Sequence, residues 1–243
     1  MACIHSFRGE WVLETHALKS LEAESFLLLG IDVETLPSLI AVDCVFWSNS
    51  KQTIKNLKTD FREAFRHRLE KGRVGREIAE SFFKRHGRPP GSKRDIDQKT
   101  GAQSLYSPLP FQRNIQTGTY RIWSELGKPR NQNFNFFPWS HSSSKQKTWV
   151  VEGYPSLSWK NLFNSKTRSP GNLSQWIEQI IKPEIKISEK TKDLIRLDQN
   201  YADAAVLALQ AFMTPIDLSR LTNPSLKRKM LAHGYILGGD EVI

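Results

Sequence analysis

Three carboxylates stand alone inside apolar runs of this sequence. Asp43 lies within Leu-Ile-Ala-Val-Asp-Cys-Val-Phe, Glu152 follows Trp-Val-Val, and Asp203 lies between Tyr-Ala and Ala-Ala-Val-Leu. A buried carboxylate is costly unless it has a cationic partner, a raised pKa or a bound metal ion. None of the three runs contains Lys or Arg. We therefore expect three separate segments to bring these acids to one buried site for hard cations.

Such a site would have a definite chemistry. Mg²⁺ and Mn²⁺ are hard ions that bind carboxylates, water and phosphate oxygens. Two divalent ions about 4 Å apart can deprotonate an attacking water and stabilise the leaving oxygen of a phosphodiester. A single acid at a strand end is more often a turn or capping residue, so the prediction depends on all three together. Asp43, Glu152 and Asp203 are thus the candidate catalytic and metal-binding residues.

The positive charge of the chain is concentrated in one region. The sequence has 35 Lys and Arg against 25 Asp and Glu, a formal net charge of +10. Residues 51–99 hold fifteen Lys or Arg and seven Asp or Glu, a local net charge of +8. Concentrated positive charge favours a polyanionic partner, although a solvated helical surface is the alternative interpretation. We expect nucleic acid as the partner, and a protein partner stays open.

Cysteine, histidine and hydropathy patterns exclude several classes of protein. Cys3 and Cys44 are the two cysteines, which make no disulfide framework and no zinc spacing, and the six histidines show none either. The N-terminus lacks the apolar core of a signal peptide, and no apolar stretch is long enough to span a bilayer. These features predict a cytoplasmic protein without a membrane partner.

The periodicity of apolar residues predicts alternating strands and helices. Apolar residues on both faces at 39–46 and 148–154 indicate central strands. Apolar residues that recur three or four positions apart indicate helices. The predicted strands are 10–18, 39–46 and 148–154. The predicted helices are 19–29, a region opened by Ser50 and closed by Gly72, 76–85, 111–126, 173–181, 190–197, 201–213 and 216–233. A loop is expected at 88–101 and an exposed connection at 131–147. This alternation is typical of an α/β fold.

Several short pieces occur in an order that resembles a known family. They are Ile40-Ala41-Val42-Asp43, Lys93-Arg94-Asp95-Ile96-Asp97, Ser107-Pro108 leading to Gln116-Thr117-Gly118, Val151-Glu152-Gly153-Tyr154-Pro155, Tyr201-Ala202-Asp203-Ala204, and His233-Gly234-Tyr235-Ile236-Leu237-Gly238. This order resembles the predicted ribonuclease H-like nucleases catalogued as domain of unknown function 429. The resemblance implies one ribonuclease H-like domain over 1–243, a mixed sheet flanked by helices. It also implies a helical basic insertion at 50–147, after the fourth strand.

The resemblance also assigns roles to particular residues. Asp43 would be the acid of the fourth strand and Asp203 the acid of the last core helix, both ligands of Mg²⁺ or Mn²⁺. Glu152, on the fifth strand, would be a further ligand or would orient the attacking water.

The loop that contains Arg94 matches the basic and acidic loop of the family. Arg94 would hold the scissile phosphate with Asp97 fixing its geometry, because Arg binds phosphate in a bidentate manner. Lys93 and Arg88 are further basic candidates for substrate binding. The alternative, that Arg94 and Asp97 pair with each other and pin the loop, stays open.

One departure from the family concerns its first strand, which carries an indispensable Asp. No Asp occurs before residue 32. Either the family's first strand lies upstream, or it has been lost, or Glu10 or Glu14 replaces the missing acid. The sequence thus predicts a divalent-metal-dependent nuclease, and its alternative is an inactive ribonuclease H-like module that binds nucleic acid or a protein.

Overall fold

A computed structural model of the protein describes the following residues: 2–8, 10–15, 38–43, 54–67, 69, 77, 78, 80, 91–103, 114–126, 135–137, 148–164, 168–181, 185–213, 225, 236, 237 and 239. The predicted helices at 19–29 and 216–233 lie outside this part of the chain, apart from one residue of the second. Arg88 also lies outside it.

The described strands form two small sheets. The strands are β1 (Ala2–Phe7), β2 (Glu10–Thr15), β3 (Ser38–Val42), β4 (Asn135–Phe136), β5 (Thr148–Glu152) and β6 (Ile185–Ile187). In the first sheet β2 lies between β1, which is antiparallel to it, and β6, which is parallel. In the second sheet β5 lies between β3 and β4, and both pairings are parallel.

Seven helices connect and cover these sheets within the described residues. They are α1 (Ile54–Arg66), α2 (Asp95–Thr100), α3 (Asn114–Leu126), α4 (Pro155–Phe163), α5 (Pro170–Trp176), α6 (Glu189–Leu197) and α7 (Gln199–Met213). A π-helical turn, Ile177–Ile181, extends α5. No helix in this part of the chain is long and apolar enough to cross a membrane.

Helix α7 connects the two sheets. It packs against β1 and β2 of the first sheet and against β3 of the second. Ala202 and Ala205 are fully buried and lie in one core cluster with Leu13 of β2 and Ile185 of β6. Their small side chains allow the helix to approach its neighbours closely. The prediction of a buried helix at 201–213 is confirmed.

The α/β class is confirmed, and several elements differ from the expectation. The chain forms two sheets in the described part, where we expected one mixed sheet. β5 is central and buried as predicted, whereas β3 is half-buried and pairs with β5 alone among the described strands. Strands β1 and β6 and helix α4 were not predicted. The short β6 carries only three residues, and its alternation of buried Ile and exposed Lys is too brief to be distinctive.

Two segments expected to be loops contain structure. Helix α2 lies within the expected loop 88–101 and ends at Gly101, whose φ of 77° is the left-handed conformation that glycine adopts readily. Strand β4 lies within the expected exposed connection 131–147. Asn135 and Phe137 are buried there, and Phe137 packs edge-on against Trp149 of β5. Tertiary packing therefore orders residues 91–103 and 135–137, where local composition indicated a loop or an exposed connection.

Candidate functional site

The candidate site lies where β3 and β5 end. The two strands are parallel, and Val42 lies opposite Glu152 in their register. Asp43 follows Val42 directly, so Asp43 and Glu152 come to the same edge of the sheet. Gly118 of α3 faces this edge, because a Cβ built on it would lie 4.0 Å from the Asp43 carbonyl oxygen.

Asp203 reaches this edge from α7. Leu207 follows it by four residues and therefore lies on the same face of the helix. A Cβ built on Gly153, directly after β5, would lie 2.7 Å from Leu207 Cδ2. The missing side chain of Gly153 thus allows α7 to lie against the end of β5.

The Asp203 carboxylate has three hydrogen-bond donors. Trp159 Nε1 and Gln199 Nε2 each donate to Oδ1 at 2.8 Å, and Arg168 donates through a terminal nitrogen to Oδ2 at 2.5 Å. Trp159 is 1% exposed and packs against Phe163 and Trp176. Asp203 is therefore oriented by rigid surroundings.

The pKa of Asp43 is raised from 3.8 to about 6. Desolvation is the largest cause, the negative charge of Asp203 is the next, and the positive charge of Arg168 acts in the opposite direction. Asp43 was expected to be buried, yet by its accessible surface it is exposed. The desolvation shows that protein atoms surround much of the carboxyl group, and the exposure shows that one side faces water. This opening makes the desolvation weaker than it would be in a closed site. The negative charge of Asp203 also raises the pKa of Asp43, and this effect does not depend on desolvation.

Glu152 forms a buried ion pair with Arg94. Arg94 donates to Glu152 Oε2 at 2.8 Å through one terminal nitrogen and to Oε1 through the other. It also donates to both carboxylate oxygens of Asp97, at 3.0 and 2.6 Å, and its backbone N–H is capped by Asp97 Oδ2. The three side chains are at most 5% exposed. Burial opposes the charge of Arg94, but the charges of Glu152 and then Asp97 outweigh it, so the pKa of Arg94 is raised.

The predicted site residues thus fall into two groups. Asp43 and Asp203 interact electrostatically at an edge that is open to solvent. Arg94, Asp97 and Glu152 form a closed cluster, which we call the Arg94 triad, and this contact corresponds to the alternative in which Arg94 and Asp97 pin the loop. Lys93, beside the triad, is exposed. The substrate-binding roles of Arg94, Asp97, Lys93 and Arg88 stay predictions.

Asp43 and Asp203 fit a divalent cation better than Glu152 does. The raised pKa of Asp43 reflects desolvation first and then the negative charge of Asp203, which Arg168 only partly offsets, and a bound cation would offset both. A carboxylate has about four acceptor positions, and three donors reach Asp203. Both oxygens of Glu152 are bound to Arg94. Within the described residues there is no group of three or more His, Cys, Asp or Glu side chains arranged to hold a metal ion.

Sequence reasoning missed the partners of Asp203. Gln199 precedes Asp203 by four residues, and this helical spacing could have indicated the contact. Trp159 and Arg168 are 44 and 35 residues away from Asp203, and no spacing connects them to it. Asp60 of α1 was also missed; it is 2% exposed within a helix whose sequence is otherwise strongly polar.

The chain was compared with models of protein families, with curated proteins and with solved structures, and none of the three comparisons found a match. The resemblance to the ribonuclease H-like family therefore stays a prediction.

Proposed function

We propose that the protein is a divalent-metal-dependent nuclease of ribonuclease H-like type that cleaves phosphodiester bonds in DNA or RNA at the Asp43–Asp203 edge. The observation that carries this proposal is the meeting of two acids from opposite ends of the chain. One lies directly after β3 and the other in the second turn of α7, and their charges interact beside an opening to solvent. Mutual repulsion between acids is unfavourable for folding, so their juxtaposition favours a role in binding cations.

Asp43 and Asp203 would hold Mg²⁺ or Mn²⁺. The bound ions would supply an activated water and neutralise charge on the phosphate. Trp159 and Gln199 fix the plane of the Asp203 carboxylate, which prepares one ligand oxygen for use. Asp43 is partly protonated near pH 6, so a proton competes with the cation there.

Replacement of either acid tests this proposal. Asp43→Asn and Asp203→Asn should each lower Mg²⁺- or Mn²⁺-dependent cleavage by at least about 100-fold, because loss of a metal ligand costs at least as much as loss of its hydrogen-bond partner. Mn²⁺ should raise the Tm of the wild-type protein, and both variants should abolish this rise. Cleavage of labelled DNA and RNA and thermal unfolding with and without Mn²⁺ are the measurements.

Asp193→Asn is the matched control, because it makes the same chemical change in an exposed pair with Arg196 on α6. It should leave the rate of cleavage and the change in Tm with Mn²⁺ as they are in the wild-type protein. Equal cleavage by the wild-type protein and by Asp43→Asn would contradict the proposal.

A second candidate function is an inactive module that binds nucleic acid or a protein. It is favoured by the contacts that already occupy the acids: Arg94 binds both oxygens of Glu152, and three donors bind Asp203. This candidate predicts salt-dependent binding of nucleic acid with no cleavage and no effect of Mn²⁺ on Tm.

A further inference from the structure

Arg168 differs from Arg94 in its exposure. Its side chain is 39% exposed, whereas that of Arg94 is 3% exposed. One terminal nitrogen donates to Asp203 Oδ2 and the other to Ser156 Oγ, each at 2.5 Å. Arg168 therefore lies at the surface of the site with its guanidinium held in place on one side.

The guanidinium of Arg168 has unused capacity within the described part of the chain. A guanidinium carries five N–H donors, and the contacts with Asp203 and Ser156 use two of them. Arg94 in contrast makes four side-chain hydrogen bonds to two carboxylates and is closed off from solvent. Of the two arginines, only Arg168 can meet an incoming anion without first leaving its carboxylate partners.

The position of Arg168 relative to both acids defines what it could bind. It contacts Asp203 directly, and its charge lowers the pKa of Asp43. An anion bound by its remaining donors would therefore lie beside both carboxylates, where a phosphate would be cleaved. Planar, bidentate donors suit phosphate oxygens, and prior fixation by Ser156 reduces the entropy lost on binding.

We propose that Arg168 is a phosphate-binding residue of this site and contacts the nucleic-acid backbone next to Asp43 and Asp203. This inference rests on the proposed function for its substrate class. It gives the phosphate-binding role to a residue on the approach to α5, a segment to which the sequence assigned no role.

Binding of nucleic acid in EDTA tests the inference without any cleavage. Fluorescence anisotropy of a short labelled DNA duplex would give Kd as a function of salt concentration. Arg168→Gln should weaken binding by about tenfold, as expected when a hydrogen bond between charged groups is lost. It should also reduce the slope of log Kd against log salt concentration by about 0.9, the contribution of one phosphate contact. Arg168→Lys should retain the slope and recover part of the affinity, because charge remains while the planar donors are lost.

Arg196→Gln is the matched control, since it removes the same charge from an exposed pair with Asp193. Its salt slope should equal that of the wild-type protein. Thermal unfolding of every variant separates binding from stability, because a purely structural Arg168 would lower Tm in Arg168→Gln and leave the slope unchanged.

The outcomes also separate this inference from the proposed function. An unchanged slope in Arg168→Gln overturns the inference, and so does a wild-type protein that binds no nucleic acid. A reduced slope in a protein that never cleaves with Mg²⁺ or Mn²⁺ supports the role of Arg168 and overturns the nuclease.

Discussion

At the scale of single residues, the three lone acids have two different environments. Glu152 and Asp203 each have an arginine partner, which lies 58 and 35 residues away in the chain. Asp43 instead has a raised pKa beside an opening to water. The sequence indicated that each acid needed a cationic partner, a raised pKa or a metal ion. It could not indicate which of these each acid has, because the groups around each acid come from distant segments.

The raised pKa of Asp43 gives a prediction about stability and pH. Its pKa is above the ordinary value of 3.8, so the charged form disfavours folding above about pH 6, and this penalty disappears as the pH falls toward 3.8. Asp43→Asn should therefore raise Tm at pH 7–8. Because Asp43 is exposed, screening limits the gain to about 1 kcal/mol, or about 2–4 °C.

Thermal unfolding of Asp43→Asn and wild type at several pH values, without divalent ions, is the measurement. The difference in Tm should shrink as the pH falls below about 6. Asp193→Asn, the same chemical change at an exposed ion pair, serves as the control. A difference that is constant with pH would show that Asp43 does not titrate in this range.

The Arg94 triad gives a second prediction at this scale. Arg94→Gln removes the positive charge that the two buried carboxylates share, which should lower the free energy of unfolding by about 3–5 kcal/mol. The exposed pair of Arg196 with Asp193 offers a control, and Arg196→Gln should change stability by less than about 1 kcal/mol. Urea unfolding of Arg94→Gln and Arg196→Gln measures the change in the free energy of unfolding of each variant.

The double variant Arg94→Gln/Glu152→Gln should recover part of the loss, because it also removes one uncompensated charge. Equal stability of Arg94→Gln and Arg196→Gln would contradict a structural role for the triad. It would favour instead the predicted role of Arg94 in holding phosphate.

At the scale of elements, the site depends on how α2 and α7 are held against the ends of the strands. The Arg94 triad attaches α2 to β5, and Tyr154 also donates a hydrogen bond to the Gly101 carbonyl oxygen at 3.2 Å. Ile96 of α2 is fully buried with Leu157 of α4. The segment 91–103 is therefore fixed to the core, although Pro-Pro-Gly and mixed charge predicted a loop at 88–101.

The contact between α7 and β5 can be tested at Gly153. Gly153→Ala would place a Cβ 2.7 Å from Leu207 Cδ2, so that Leu207 or α7 must shift. We expect a loss of about 1–3 kcal/mol in stability, as for other overpacked sites. Cleavage should fall as well, since a shift of α7 would move Asp203 away from Asp43.

Gly171→Ala is the control for this change, because a Cβ there meets nothing within 4 Å. It should leave stability unchanged or raise it slightly, since alanine suits a helix better than glycine. Adding Leu207→Ala to Gly153→Ala should cost less than the sum of the two single changes. Wild-type stability of Gly153→Ala would contradict the close packing of α7 on β5.

At the scale of the whole molecule, charge is distributed unevenly around a core that α7 organises. The region 51–99 carries a net charge of +8 of the total +10. Within it, Arg62 and Arg66 of α1 are exposed, and so is His67 directly after the helix. Phe65 of the same helix is 46% exposed as well. This surface is suited to attract a polyanion toward the molecule, and a nucleic-acid partner stays a prediction.

The sequence by itself determined the α/β class, most helices around the core, the buried β5 and the three acids that needed compensation. These follow from periodicity and from the cost of burying charge, which are properties of short segments. Tertiary structure alone decided that Arg94 neutralises Glu152, that Arg168 and Trp159 hold Asp203, and that α2 is a helix. Contacts between residues 35 to 58 positions apart leave no periodic trace in a single sequence, because only the folded chain brings them together.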